Sequence, residues 1–158
     1  MEKEPITTAG LEVLKEELIF LKEKKRPQIV AAISEARSHG DLKENAEYHA
    51  AKEEQSLTEA RIKDIESKLS SSQVIDITNI ESSDKVIFGT TVMVFNSELE
   101  KSISYKIVGE DEADAGKGKI SYASPLAKNL IGKFEGDIVK VETPSGLIEY
   151  EIEKVEYL

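Results

Sequence analysis

The chain has 158 residues, 39% hydrophobic and 33% charged, with a formal net charge of −10 and no Cys. That length suffices for one compact domain, or for a small domain plus an extended element, and so high a charge fraction suits an exposed helical element better than a globule alone. The negative balance excludes independent, non-specific binding to nucleic acid, which needs Lys and Arg to neutralise phosphates, and the lack of Cys excludes disulfides and thiolate metal sites.

Taken in chain order, the opening residues Met1 to Thr8 are short and mixed, and no long apolar run follows. Neither a signal peptide nor a membrane span is expected, so the default is a cytoplasmic protein with no membrane partner. A plausible N-cap at Thr7 or Thr8 precedes Leu11, Leu14, Leu18 and Leu21, which alternate steps of three and four and read as a coiled-coil seam. Pro27 removes an amide donor and crowds the preceding turn, so a kink or register change is expected there, with the seam resuming through Val30, Ile33 and Arg37. Gly40 supplies positive φ at a helix C-terminus. The seam then restarts as Tyr48, Ala51, Gln55, Thr58, Ile62, Ile65 and Leu69. Two such runs joined by a short turn lie antiparallel, and arms of about 28 residues at 1.5 Å each make a rod about 40 Å long.

After Ser70-Ser71-Ser72 the texture changes to strands: Gln73 to Ile77, Lys85 to Phe95, Ser102 to Val108, Asp137 to Val141 and Leu147 to Val155. Glu110-Asp111-Glu112-Ala113-Asp114 reads as a solvated acidic turn, and Thr143-Pro144-Ser145-Gly146 as a hairpin turn. Between them, Ser124 as N-cap, Pro125 at the first helical position and Gly132 past the end mark a short helix. The predicted fold is therefore α+β: an antiparallel coiled-coil hairpin over 1–72 with an acidic tip near 38–48, then an antiparallel β-sheet domain with one short helix over 73–158.

The tip carries the chemistry. Asp41 and Glu44 are three apart at an expected helix start, so they share a face and could jointly hold a hard cation through oxygen. Asp-x-x-Glu at a helix N-terminus is equally a capping box, favoured also by the helix dipole, and spacing alone prefers the cap. Against the cap stand a further carboxylate, Glu47, and the cations Arg37 and Lys43, which make the tip mixed in charge. Arg37 and Lys52 lie on opposite arms near the turn and could form a small basic patch, although such residues on a charged hairpin are usually just solvated. His39, Asp41, Glu44 and His49 form a poor transition-metal set, because Glu44 and His49 are five apart and point to different sides of a helix. No Ser-His-Asp or Cys-His arrangement and no glycine-rich phosphate loop is identifiable.

The run Ala36 to Glu53, which contains Ser38-His39-Gly40-Asp41-Leu42-Lys43-Glu44-Asn45-Ala46-Glu47-Tyr48-His49, closely resembles the tip of the bacterial GreA/GreB family of transcript cleavage factors. Arg61 to Leu69, Val86 to Gly89, Gly109 to Asp114, Ser124 to Ala127, Leu130 to Lys133 and the ending Val155-Glu156-Tyr157-Leu158 resemble family segments in the same order, so the resemblance covers essentially the whole chain. It implies an N-terminal antiparallel coiled coil and a C-terminal domain similar in fold to FK506-binding proteins. The implied partners are bacterial RNA polymerase, entered through its secondary channel, and the 3′ end of backtracked nascent RNA. The implied activity is not an enzyme's own: Asp41 and Glu44 help to place Mg²⁺ shared with polymerase, whose active site then cleaves the RNA. Arg37 and Lys52 match the family's basic patch, where RNA contact is implied. Tyr48 could stack at the tip, but its heptad position favours the seam. Ser124, Pro125 and Leu126 lie in a segment expected to help dock the globular domain, and the protein is expected to be a monomer.

Three rivals are set beside this reading. A channel-entering regulator without cleavage activity would be favoured by Asn or Lys at position 41 or 44, and both acids are present. A prolyl isomerase needs an apolar pocket walled by aromatic side chains, which 6% aromatic residues and no Trp supply poorly. A free-standing metal hydrolase needs more ligands than the tip offers.

Overall fold

The computed structural model describes residues 3–40 and 45–158. Strand β1 (Glu4–Thr7) leads into helix α1 (Thr8–Phe20), whose first turn is capped where the Gly10 N–H donates to Thr7 Oγ1 at 3.1 Å. A π-helical turn, Leu21–Lys25, joins α1 to α2 (Arg26–Arg37), and the Arg26 N–H reaches back five residues to the Leu21 carbonyl. This is the register change expected at Pro27. A proline ring crowds the carbonyl four residues earlier and donates no hydrogen bond, and the widened turn accommodates both without ending the helix.

The extra residue has a consequence for the seam. Leu14, Ile29 and Ala36 are buried and Ile33 is half-buried, whereas Val30 and Arg37 face solvent. Val30 and Arg37 were therefore misplaced by the sequence pattern: the π turn shifts the inward face by one residue relative to an unbroken heptad. On α3 (Ala46–Ser71) nothing interrupts the period, and Ala51, Thr58, Ile62 and Ile65 are buried while Tyr48, Gln55 and Leu69 are half-buried, as expected.

Helices α2 and α3 form an antiparallel hairpin, in which the start of the first arm lies beside the end of the second and the end of the first beside the start of the second. Lys22 pairs with Glu66 at 3.1 Å, Arg26 with Glu59 at 2.7 Å, and the Asn45 side chain with the Ala36 carbonyl at 2.6 Å. Lys25 pairs with Glu54, and Arg61 holds Glu17 at 2.8 Å. Exposed pairs of this kind contribute under about 1 kcal/mol each, so apolar burial stabilises the hairpin and the charges mainly select its register.

In the second half, β2 (Ser72–Ile75) pairs with β1. A five-stranded sheet follows, made of β3 (Thr91–Asn96), β4 (Lys101–Val108), β5 (Lys119–Ser121), β6 (Ile138–Thr143) and β7 (Gly146–Glu156) in the order β5-β4-β3-β7-β6. The predicted antiparallel sheet holds for β4-β3-β7-β6, but β5, which the sequence reading missed, lies parallel to β4. Three residues give too short a period to recognise, and a parallel neighbour requires the crossover that residues 109–118 provide. The β6–β7 hairpin turns at Thr143 and Gly146 as expected. A bulge between Met93 and Val94 makes inward residues on β7 step from Tyr150 and Ile152 to Val155 rather than to residue 154.

Helix α4 (Pro125–Leu130) buries Ala127 and Leu130 in the core with Val86, Val92, Val94, Ile107, Val139 and Val141. Its start is as predicted: Pro125 opens the helix and Ser124 Oγ accepts the Ala127 N–H at 3.3 Å.

Among the described residues, those within 11–72 cluster as one compact unit, and residues 3–10 with 73–158 as a second. Residues 3–10 thus group with the sheet rather than with the hairpin, against the boundary expected from sequence. The reason is β1, which pairs with β2 and whose Thr7 donates its N–H to Glu112 at 3.2 Å and its hydroxyl to the same carboxylate. Glu112 also accepts the Gly109 N–H at 3.0 Å. The acidic stretch 110–114 is therefore an anchor for β1 and not merely a solvated turn. No helix among the described residues is long and apolar enough to cross a membrane.

Candidate functional site at the hairpin tip

Asp41 and Glu44, the acids singled out from sequence, lie outside the described residues. The residues on either side of them are described. Helix α2 ends at Arg37, where the Ser38 N–H still donates to the Ser34 and Glu35 carbonyls and the Ser38 hydroxyl donates to Glu35 at 2.6 Å. Gly40 then takes φ +114°, a left-handed conformation that glycine alone adopts without strain.

Helix α3 begins at Ala46, and its N-cap is Asn45. The Tyr48 N–H donates to Asn45 Oδ1 at 3.0 Å, and the His49 N–H to the Asn45 carbonyl at 3.1 Å. The capping that the spacing assigned to Asp41 is thus performed by Asn45. Sequence reasoning missed this residue, although Asn directly before Ala46-Glu47 is a standard N-cap signal.

The other tip residues divide by burial. Arg37 is exposed at the end of α2, lining a shallow hollow with Val30, Ile33 and Ser34. The π turn is what places it outside the seam. Lys52 is exposed in the second turn of α3, where its ammonium meets Gln55 Oε1 at 3.2 Å. Tyr48 is half-buried and sets its ring edgewise against His49, with centroids 5.6 Å apart at 67°. Both cations therefore present charge to solvent on opposite arms, while Tyr48 sits on the inward side of α3.

Farther from the tip, the ion pairs carry the resolved electrostatic shifts. The hydrogen bond from Arg26 holds the Glu59 carboxyl below its ordinary value, and Glu59 in turn raises the Arg26 guanidinium. Lys68 first, and then Arg61, lowers Asp64.

In the sheet unit, Ser124 and Leu126 are half-buried and Pro125 is exposed at the start of α4, so the segment expected to dock combines a helix cap with one outward ring. A hollow of about 200 Å³ lies where β1 and the start of α1 meet the sheet, lined by Thr, Lys106, Lys119, Asp76, Glu112 and aliphatic side chains. It has no aromatic wall of the kind a proline-binding pocket uses.

Comparison with known proteins identifies the family. Residues 4–74 match the family model described as transcription elongation factor, N-terminal, and residues 81–157 match that described as transcription elongation factor, GreA/GreB, C-term. Among curated relatives, the transcription elongation factor GreA of Pelagibacter ubique is 60% identical and that of Pseudomonas aeruginosa 58%, each over 158 residues that cover all of both chains. Among solved structures, GreA factor homolog 1 of Thermus thermophilus is 29% identical over 98% of this chain and 99% of that one, at a TM-score of 0.44. With both halves matched and relatives this similar from end to end, the chain belongs to the GreA/GreB family of transcription elongation factors.

Proposed function

We propose that this chain stimulates RNA polymerase to cleave the 3′ end of backtracked nascent RNA, by lending Asp41 and Glu44 to the polymerase's own metal site. The observation that carries the reading is the Asn45 cap: α3 starts on Asn45 and does not need Asp41 as its N-cap. Membership of an elongation-factor family, with both acids present, supports the rest.

The donor set suits Mg²⁺, a hard cation that takes oxygen ligands, binds through one or two carboxylates and keeps several waters. Asp41 and Glu44 would hold it jointly with polymerase, where it would polarise the phosphodiester and lower the pKa of the attacking water. Two carboxylates do not enclose an ion, so the chain is not an enzyme by itself. The hairpin's part is reach: α3 alone, at 26 residues, extends about 39 Å and can present its tip inside the polymerase secondary channel. Arg37 and Lys52, exposed on either arm, would pair with phosphates of the extruded RNA. Tyr48 belongs mainly to the packing between the arms. The sheet unit, similar to FK506-binding proteins, would dock on polymerase with the exposed Pro125 and its neighbours Ser124 and Leu126. The protein acts in the cytoplasm as a monomer.

The test is a halted, backtracked polymerase complex with labelled RNA. Adding the protein and Mg²⁺ shortens the RNA from its 3′ end; Asp41→Asn or Glu44→Gln lowers the cleavage rate by at least about a hundredfold, as loss of a transition-state charge contact does. Both variants still compete with the parent for polymerase. Undiminished cleavage by both would remove the acids from the chemistry.

A further inference from the structure

Asn45 makes two hydrogen bonds with the two ends of one side-chain amide. Its Oδ1 accepts the Tyr48 N–H at 3.0 Å, and its Nδ2 donates to the Ala36 carbonyl at 2.6 Å, in the last turn of α2. The partners fix the orientation of the amide, since a backbone N–H only donates and a carbonyl only accepts. Capping α3 requires the oxygen alone. The nitrogen does something else: it ties the C-terminal end of one arm to the N-terminal end of the other, across nine residues of sequence. The same Ala36 carbonyl takes the His39 N–H at 3.2 Å, so the exit from α2 and the entry to α3 meet at one acceptor. Ala36 itself is buried, as is Ala51 one turn into α3, so the link rests on a packed base.

We propose that Asn45 is a positioning residue for transcript cleavage, its Nδ2 bond to Ala36 fixing the two ends from which the segment bearing Asp41 and Glu44 springs. The inference rests on the cleavage reading above and adds to it the part that sets the acids' geometry. Helix ends fray when nothing ties them, and a displacement of about 1 Å at a reacting centre costs up to a hundredfold in rate. A cap that is also a clasp removes that freedom from the two helix ends it joins.

The two functions of the amide separate by substitution. Asn45→Asp keeps an oxygen to cap α3 but has no donor for Ala36, Asn45→Ser keeps a capping oxygen whose hydroxyl sits one bond short of the Nδ2 position and so loses its reach to Ala36, and Asn45→Ala loses both bonds. N45D and N45S are expected to unfold within about 2 °C of the parent and to compete normally for polymerase. Both should nonetheless need at least about tenfold more Mg²⁺ for half-maximal cleavage, the effect typical of losing a group that orients metal ligands. N45A should show the same Mg²⁺ shift together with a lower unfolding temperature. Titrations of N45D and N45S that superpose on the parent's overturn the proposal. So does a shift confined to N45D, which would trace to its added charge. Asp41→Asn, run alongside, keeps the two ideas apart. If it and Glu44→Gln both cleave like the parent, the cleavage reading fails and the positioning role with it; if they are inactive while N45D and N45S titrate normally, the positioning role alone is wrong.

Discussion

Asn45 and Arg37 show how single positions decide what the tip can do. Asn45 caps α3, the role that the Asp41 to Glu44 spacing had suggested for Asp41. Arg37 is exposed because one extra residue in the π turn rotates it out of the seam, leaving Ala36 to be buried in its stead. Charge pairs along the arms act at the same scale and predict a response to acid. The Glu59 carboxyl, hydrogen-bonded to Arg26, titrates below its ordinary value of 4.5. A carboxyl lowered on folding contributes stability above that ordinary value, and the contribution fades as the pH falls through the folded value. Glu59→Gln is therefore expected to lower the unfolding temperature near neutral pH, and the gap from the parent should narrow as the pH drops from about 7 to about 3. Thermal unfolding followed by circular dichroism across that range checks this; a gap that stays constant with pH would mean that the ion pair contributes nothing to the folded hairpin.

At the scale of elements, β1 shows how a short strand of marginal length is held. Glu112 binds it through the Thr7 N–H and hydroxyl and completes its own turn through Gly109. A methyl group at Gly10 would overlap that carboxyl, which three hydrogen bonds keep from moving aside. Gly10→Ala is expected to cost about 1–3 kcal/mol in urea unfolding, the penalty for losing such bonds at a partly buried site. Glu112→Ala removes the obstacle, so the double variant should be destabilised by less than the two single losses combined; strict additivity would show that the two residues do not meet. Elements also set the limit of what the sequence discloses. The inward face of α3 was legible from Tyr48 to Leu69 because nothing disturbs its period. That of α2 was not, because Pro27 announces a disturbance without saying how many residues it adds. Strand β5 is too short for alternation to register, and the bulge opposite Val94 hides the inward position of Val155. The start of α4 was legible in full, since Ser124, Pro125 and Gly132 each act through local backbone chemistry.

At the scale of the whole molecule, the division of labour follows from composition. The apolar core is concentrated in the sheet unit, where Val92, Val94, Ile107, Leu130 and Ile152 are almost entirely buried, while the hairpin spends its length on charged faces around a narrow seam. A chain with net charge −10 gains little from nucleic acid on its own, so under the proposed function its contact with RNA would be made where polymerase supplies the positive surroundings and most of the metal's ligands. The acids were legible in the sequence as candidates but not as chemistry. The chemistry proposed for them is supported by the Asn45 cap of α3 and by the family identified across both halves. The central claim is that Asp41 and Glu44 help polymerase hold Mg²⁺ at the moment of cleavage, and the most direct measurement is the rate of 3′ cleavage in a backtracked complex as Mg²⁺ is titrated against the parent and Glu44→Gln. The account predicts that Glu44→Gln needs at least about tenfold more Mg²⁺ to reach its half-maximal rate; superposable titrations, with equal rates at saturation, would contradict it.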